Sequence, residues 1–263
     1  FGEPSNEFLI GDFAGYRLVF LPRHGRGHKI PPTEINYRAN IEALKRAGVD
    51  RVVSFSAVGS LREDYKPGDF VIVDQYVDRT FAREKSFFGT GFVAHVSMAD
   101  PVCTTTSEVI TESAKSIKLN VHSGGTYLVM EGPQFSSRAE SNWYRSIGCD
   151  VIGMTNMPEA KLAREAEMAY ATVAMVTDYD CWHQDHDDVN TASILEVLQN
   201  NSEHAKELIK ALVPRLGALQ APFESGAHKS LEHAIATVPE QRDPELSAKL
   251  AVITRRVIDN PGW

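Results

Sequence analysis

Two carboxylates one residue apart, Asp178 and Asp180, follow an apolar run over 169–176 in this 263-residue chain. That order reads as a buried strand that ends abruptly in acceptors. In a parallel α/β sheet, ligands bind just beyond the carboxyl ends of the strands. Residues at i and i+2 of an extended segment point to the same side. Asp178 and Asp180 can therefore converge on one ligand, and paired acceptors suit a ligand that presents N–H groups. An adenine ring, with its exocyclic amine and protonatable N7, is such a ligand. The plainer reading is a helix cap or a turn, where Asp is common.

Other polar groups fall at the ends of earlier apolar runs. Arg23 and His24 supply a fork of donors and an imidazole after a strand over 16–21, suited to an oxyanion such as phosphate. The run Ser56-Ala57-Val58-Gly59-Ser60 offers hydroxyls and small residues, which let backbone N–H groups approach an anion. Thr155 places another hydroxyl after a short strand over 150–154. Taken singly, each reads as a solvated loop or a simple turn. Their joint placement after successive strands, together with the two aspartates, is what points to a single site.

The elements that must position these groups alternate between strands and helices. Strands are predicted over 16–21, 51–57, 70–77, 125–130, 150–154 and 171–176, and helices over 36–47, 108–118, 137–147 and 158–169. This alternation predicts an α/β fold: a single domain with one mixed, mainly parallel twisted sheet flanked by helices. Gly217 to Gly226 reads as a loop that opens a C-terminal tail over 217–263, which ends in an amphipathic helix over 243–258. No internal repeat is visible.

Composition narrows the function classes. A net charge of −8 argues against nucleic acid or an anionic membrane surface as the main partner. No run approaches the roughly 18 apolar residues of a membrane span. Three cysteines, Cys103, Cys149 and Cys181, form neither an even framework nor a close metal-type pair, which fits a reducing, cytoplasmic setting. The segment His183-Gln184-Asp185-His186-Asp187-Asp188 crowds metal-ligand residue types together, but a solvated loop before a helix is the better reading. No metal is expected.

Long motifs in a fixed order go further. They are 21–28 (LPRHGRGH), 36–41 (NYRANI), 57–63 (AVGSLRE), 67–69 (PGD), 74–80 (DQYVDRT), 131–140 (EGPQFSSRAE) and 153–160 (GMTNMPEA). Across 21–216 the chain resembles the trimeric purine nucleoside phosphorylase family, and within it the methylthioadenosine phosphorylases. The resemblance implies that Arg23, His24, Ser56, Ala57 (through its backbone) and Thr155 hold phosphate. Phe135 matches the aromatic that stacks on the purine. Met154 matches the residue under the ribose, and Met130, beside the Glu131-Gly132-Pro133 turn, joins it among the substrate-binding residues. Asp178 matches the group that bonds N7 and favours its protonation, and Asp180 the partner of the 6-amino group. Thr191, Ile194 and Leu195 fall where the family lines a 5′-methylthio pocket, and His95 matches a residue given by a neighbouring subunit.

The implied reaction is phosphorolysis of 5′-methylthioadenosine to adenine and 5-methylthioribose 1-phosphate, in methionine and purine salvage. It implies a homotrimer, phosphate as co-substrate and no other cofactor. A raised pKa at Asp178 is expected from burial beside Asp180. Two alternatives stay open: a broader purine nucleoside phosphorylase, and a catalytically silent nucleoside-binding protein. The second arises because the family's opening strand and Gly-Gly-Ser/Thr-Gly phosphate loop have no counterpart in this chain. Phe1-Gly2-Glu3-Pro4-Ser5 resembles the segment after that loop, so the sequence as given is expected to lack its start. The tail around 230–238 is placed over the substrate.

Overall fold

In the computed structural model, residues 1–183 and 191–259 are described, with only the backbone of 191–196 and 259. The centre is a pair of long parallel strands, β3 (Arg51–Ser60) and β9 (Ala169–Asp178). Every residue of β9 through Thr177 is buried, as a near-continuous apolar strand covered on both faces must be. Around this pair lie β4 (Phe70–Ile72), β5 (Gln75–Asp78), β6 (Val121–Ser123), β7 (Thr126–Val129) and β8 (Val151–Gly153), in the order β5-β7-β8-β3-β9-β4-β6. The β8–β3 and β9–β4 pairs are antiparallel and the other neighbours parallel, so the sheet is mixed and mainly parallel as expected. A separate two-stranded ribbon, β1 (Leu9–Phe13) with β2 (Tyr16–Phe20), precedes it.

Helices cover both faces. On one side α1 (Tyr37–Arg46) packs on α4 (Asn156–Glu165) and α6 (Pro244–Asp259) around Ile41, Leu162 and Leu250. On the other, α2 (Thr104–Ser116) packs on α5 (Thr191–Gly217) around Ile110, Leu208 and Leu212. Between α2 and α4 in sequence, α3 (Arg138–Ser146) starts with a reciprocal cap: Ser137 accepts from the Glu140 N–H while Glu140 accepts from that of Ser137. It packs against a 3-10 turn at Asp180–Trp182.

Three expectations are corrected. The single strand over 70–77 is two strands on different parts of the sheet, because the Asp74 and Gln75 N–H groups turn aside to the Gly125 carbonyl. The helix expected over 158–169 ends at Glu165, where Glu167 takes φ 54° and lets the chain enter β9 at Ala169. The tail over 230–238 packs on the α4 side and on the 91–96 segment, with Ser230 Oγ donating to the Arg164 carbonyl and the Ala236 N–H to that of Val93.

Glu165, at the end of α4, gives this packing a pH dependence. Its carboxylate accepts from Ser86 Oγ and the Phe87 N–H, both at 2.7 Å, and burial lifts its pKa to about 7. The unfolded chain releases this proton near the usual 4.5, so stability falls as pH rises from there to about 7 and then levels. Glu165→Gln is expected to exceed the wild type in urea-unfolding stability by up to about 3 kcal/mol at pH 8. At pH 4 the two should coincide. A constant difference across that range would contradict the assignment.

Candidate active site

A cavity of about 680 Å³ opens at the end of the β3–β9 pair. Its walls include Arg23, His24, Ser56, Ala57, Thr155, Met130, Met154, Phe135, Asp178 and Asp180. Ten of the residues singled out by the sequence therefore meet in one place.

One end is built for an anion. Arg23, half-turned inward after β2, donates through Nη1 to Thr155 Oγ1 (2.9 Å) and through Nη2 to Ser54 Oγ (2.7 Å). Glu159 on α4 lies 3.4 Å from Nη1, and its Oε1 also accepts from the Tyr170 hydroxyl. The buried guanidinium is thus braced from below by a carboxylate. Ser56 Oγ sits 3.0 Å from the Tyr127 hydroxyl and 3.5 Å from Thr155 Oγ1, so the hydroxyls form a connected group. His24 donates from Nδ1 to the Ile30 carbonyl (2.9 Å) and stacks on His28 at 4.0 Å between ring centroids. Burial pushes the His24 pKa down. His28 and Lys29 complete the rim at this end.

The other end carries the carboxylates. Ser56 and Gly59 are three residues apart on β3, about 10 Å along an extended strand. Beside Gly59 lie Asp178 and Asp180, where an added Cβ would sit 3.1 Å from Asp178 Oδ1 and 3.3 Å from Asp180 Cβ. Glycine is what lets both approach the strand. Between the two ends the wall is mostly apolar, from Met130, Met154, Ile152 and Met175. Half-exposed Phe135 stands at the mouth. The cavity can hold an elongated molecule with an oxyanion at one end and a ring bearing N–H groups at the other.

The aspartates converge for a different reason from the one expected. Asp178 ends β9, but Asp180 has φ 53° and opens the 3-10 turn, so no extended i, i+2 geometry joins them. A bulge does the aiming: Val58 pairs with Val176 and Gly59 with Asp178, leaving Thr177 without a ladder partner. Burial raises the Asp178 pKa, and bonds from the Thr177 hydroxyl and the Asp180 N–H partly offset that rise. The neighbour expected to push Asp178 up therefore holds its ionised form through a backbone donor, at 2.8 Å to Oδ1. Asp180 is raised too, mainly by burial, and its Oδ2 has no hydrogen-bond partner among the described residues.

Sequence reading missed Arg83. Its side chain is only 1% exposed. Nη1 donates to the carbonyls of Met154 (2.6 Å) and Met157 (2.7 Å), Nη2 to that of Glu131 (2.6 Å), and Nε to Glu131 Oε1 (3.1 Å). Glu131 also accepts from Thr33 Oγ1 and from the Phe81 and Ala82 N–H groups. This knot fixes Met154 against Gly132, whose φ of 68° and missing Cβ admit the Met154 sulfur. Nothing local marks Arg83, because its partners lie 46–74 residues away and are mostly backbone carbonyls.

The remaining expected residues fall into two groups. His95 is exposed, its N–H bonded to the Ala234 carbonyl, and it does not line the cavity of its own chain. Thr191, Ile194 and Leu195 begin α5, but their side chains fall outside the described residues; Leu198, one turn on from Ile194, lines the cavity. Of the segment 183–188 only His183 is described, 3.1 Å from Glu63 Oε2. Among the described residues no group of three His, Cys, Asp or Glu side chains is placed to hold a metal. No described helix is long and apolar enough to cross a membrane.

A family model described as Phosphorylase superfamily matches residues 1–214. The chain belongs to that superfamily. This phosphorylase is 56% identical over 258 residues to the S-methyl-5′-thioadenosine phosphorylase of Rhodospirillum rubrum, covering 98% of this chain and 88% of the relative. The protein of the same name from Cereibacter sphaeroides is 57% identical, covering 98% of this chain and 89% of its own. Among solved structures, a methylthioadenosine phosphorylase sourced from an antarctic soil metagenomic library superposes with a TM-score of 0.91 at 47% identity, covering 96% of this phosphorylase and 88% of that chain. Methylthioadenosine phosphorylase from Schistosoma mansoni in complex with adenine gives a TM-score of 0.84 at 36% identity, over 92% and 89% of the two chains. The fold and family read from the motifs are thereby the fold and family of the chain.

Proposed function

We propose that this phosphorylase cleaves the C1′–N9 bond of 5′-methylthioadenosine with phosphate, releasing adenine and 5-methylthioribose 1-phosphate. The observation that carries this reading is the spacing of the two ends of the cavity. A donor cluster of Arg23, Ser56 and Thr155 lies about 10 Å along β3 from Asp178 and Asp180, the span of a ribose with its base. Family membership and relatives that bear the name of this activity support it.

In this reading phosphate lies on Arg23, His24, Ser56, Thr155 and the Ala57 backbone, in line with C1′. Its charge offsets the positive charge growing on the sugar, so positioning and electrostatics do most of the work. Met130 and Met154 pack under the ribose, and Phe135 stacks on the base. Asp180 accepts from the 6-amino group. Asp178, whose pKa burial raises, gives its proton to N7 as the C1′–N9 electron pair moves into the base. No metal or further cofactor is needed. Thr191, Ile194 and Leu195 would receive the 5′-methylthio group, and His95 would reach the pocket of a neighbouring subunit in a trimer. The place of the reaction is methionine and purine salvage in the cytoplasm.

The Schistosoma mansoni structures include proteins named adenosine/methylthioadenosine phosphorylase, which favours some overlap with adenosine here as well. An apolar pocket rejects an added hydroxyl by only about 10²-fold. The test is adenine release from 5′-methylthioadenosine with and without phosphate. Release that requires phosphate is expected. Release without it would mean hydrolysis, and binding without release would favour a silent nucleoside-binding protein.

A further inference from the structure

Thr177 is the residue that the β3–β9 bulge leaves over. Because Val58 pairs with Val176 and Gly59 with Asp178, the ladder skips Thr177 and the strand's alternation breaks there. Thr177 and Asp178, which a regular strand would point to opposite faces, both line the cavity. The Thr177 hydroxyl then faces two acceptors at once: the Val58 carbonyl at 3.1 Å and Asp178 Oδ2 at 2.6 Å. It is a buried hydroxyl with one proton, so it can donate to only one of them.

That shortage ties the hydroxyl to the protonation of Asp178. When Asp178 is neutral, its proton is held for N7 of the base, and Thr177 donates to the Val58 carbonyl. When Asp178 is ionised, the hydroxyl turns and donates to the carboxylate, joining the Asp180 N–H on Oδ1. The second arrangement gives up the bond to Val58 and gains a charge-assisted one, which is the stronger kind. The hydroxyl therefore helps the carboxylate more than the acid.

We propose that Thr177 is a positioning residue for the proposed reaction, a rotating donor that stabilises Asp178 as its proton passes to the departing base. This rests on the phosphorolysis reading above. The balance is simple: the C1′–N9 pair moves to the base, the Asp178 proton moves to N7, and a phosphate oxygen bonds C1′. Thr177 keeps its own proton and only changes acceptor. Because its second bond forms only as charge appears on Asp178, it favours the transition state over bound substrate. The titratable groups that share the cavity with Asp178 are Asp180 on the 3-10 turn and Arg23, His24, His28 and Lys29 at the far end. None of these is bonded to Thr177.

The test is Thr177→Val, which keeps the shape and removes the hydroxyl, beside Thr177→Ser, which keeps the hydroxyl. For Thr177→Val, kcat should fall about 10- to 100-fold, the size of one hydrogen bond to a charged group, with KM for nucleoside and phosphate little changed. The alkaline limb of its pH–rate profile should move to higher pH, because Asp178 loses a bond that favours its ionised form. Thr177→Ser should restore both. A Thr177→Val enzyme with wild-type kcat and profile would overturn the proposal. So would a loss confined to KM with the limb unmoved, or a Thr177→Ser enzyme as impaired as Thr177→Val. A wild-type protein that releases adenine without phosphate would instead overturn the reading beneath it.

Discussion

Asp178→Asn is expected to lower kcat by about 10²–10⁴-fold, the usual worth of a positioned general acid. Asn has nearly the same shape, and its amide can still donate to N7. It cannot surrender a proton, so what the variant loses is the charge that the base would otherwise have shed. Nucleoside binding should therefore survive, and the loss should sit in kcat more than in KM. The pH dependence follows from the sign of the shift. Burial raises the pKa of Asp178, and in the proposed mechanism the protonated form is the one that acts, so wild-type activity is expected to decline as pH rises through that value. The variant has nothing to titrate there, and its profile should lose the corresponding limb. Steady-state rates of adenine release across pH, for both proteins, decide the matter. An Asn variant that kept wild-type kcat would move the proton donor elsewhere, Asp180 beside it being the next titratable group on the cavity wall.

Much of this site could be read from the sequence because its parts sit at strand ends and in contiguous runs. Asp178 and Asp180 follow an apolar stretch whose meaning, a buried central strand, is visible in composition alone. The Ser137 cap of α3 carries its own local signature in Glu140 three residues on. The family motifs, long and in order, supplied roles that no spacing argument could have reached. What was not legible depends on contacts between distant segments. The bulge at Thr177 is a mismatch between two strands over a hundred residues apart, so no local pattern encodes it. The split at Asp74 depends on the Gly125 carbonyl, and the brace under Arg23 depends on Glu159 and Tyr170. At Thr177 and Asp74 a plausible local reading was overruled by pairing made across the fold, whereas the brace under Arg23 simply had no local sign.

The buried guanidinium of Arg83 shows how far such contacts reach. Replacing it with Met, which fills similar space, should destabilise the protein by about 3–5 kcal/mol, the cost of breaking a buried ion pair from one side. For a chain of this size that corresponds to a melting temperature lower by about 10 °C. Several losses combine. The carbonyls of Met130, Met154 and Met157 lose a donor, and the Glu131 carboxylate loses its cation. Glu131 keeps Thr33 Oγ1 and the Phe81 and Ala82 N–H groups, which limits the damage on its side. Lysine should rescue the charge but only part of the stability, since an ammonium cannot fork toward backbone carbonyls on separate loops. A cycle with Glu131→Gln separates the two contributions. If the pair dominates, Arg83→Met should cost far less in the Gln background; if the carbonyls dominate, the cost should be nearly the same. Either way the effect should extend to the cavity, because Arg83 holds Met154 and the Glu131–Gly132 turn in place together. An Arg83→Met protein with wild-type stability and an unchanged KM for nucleoside would mean that the ribose wall is fixed by packing alone.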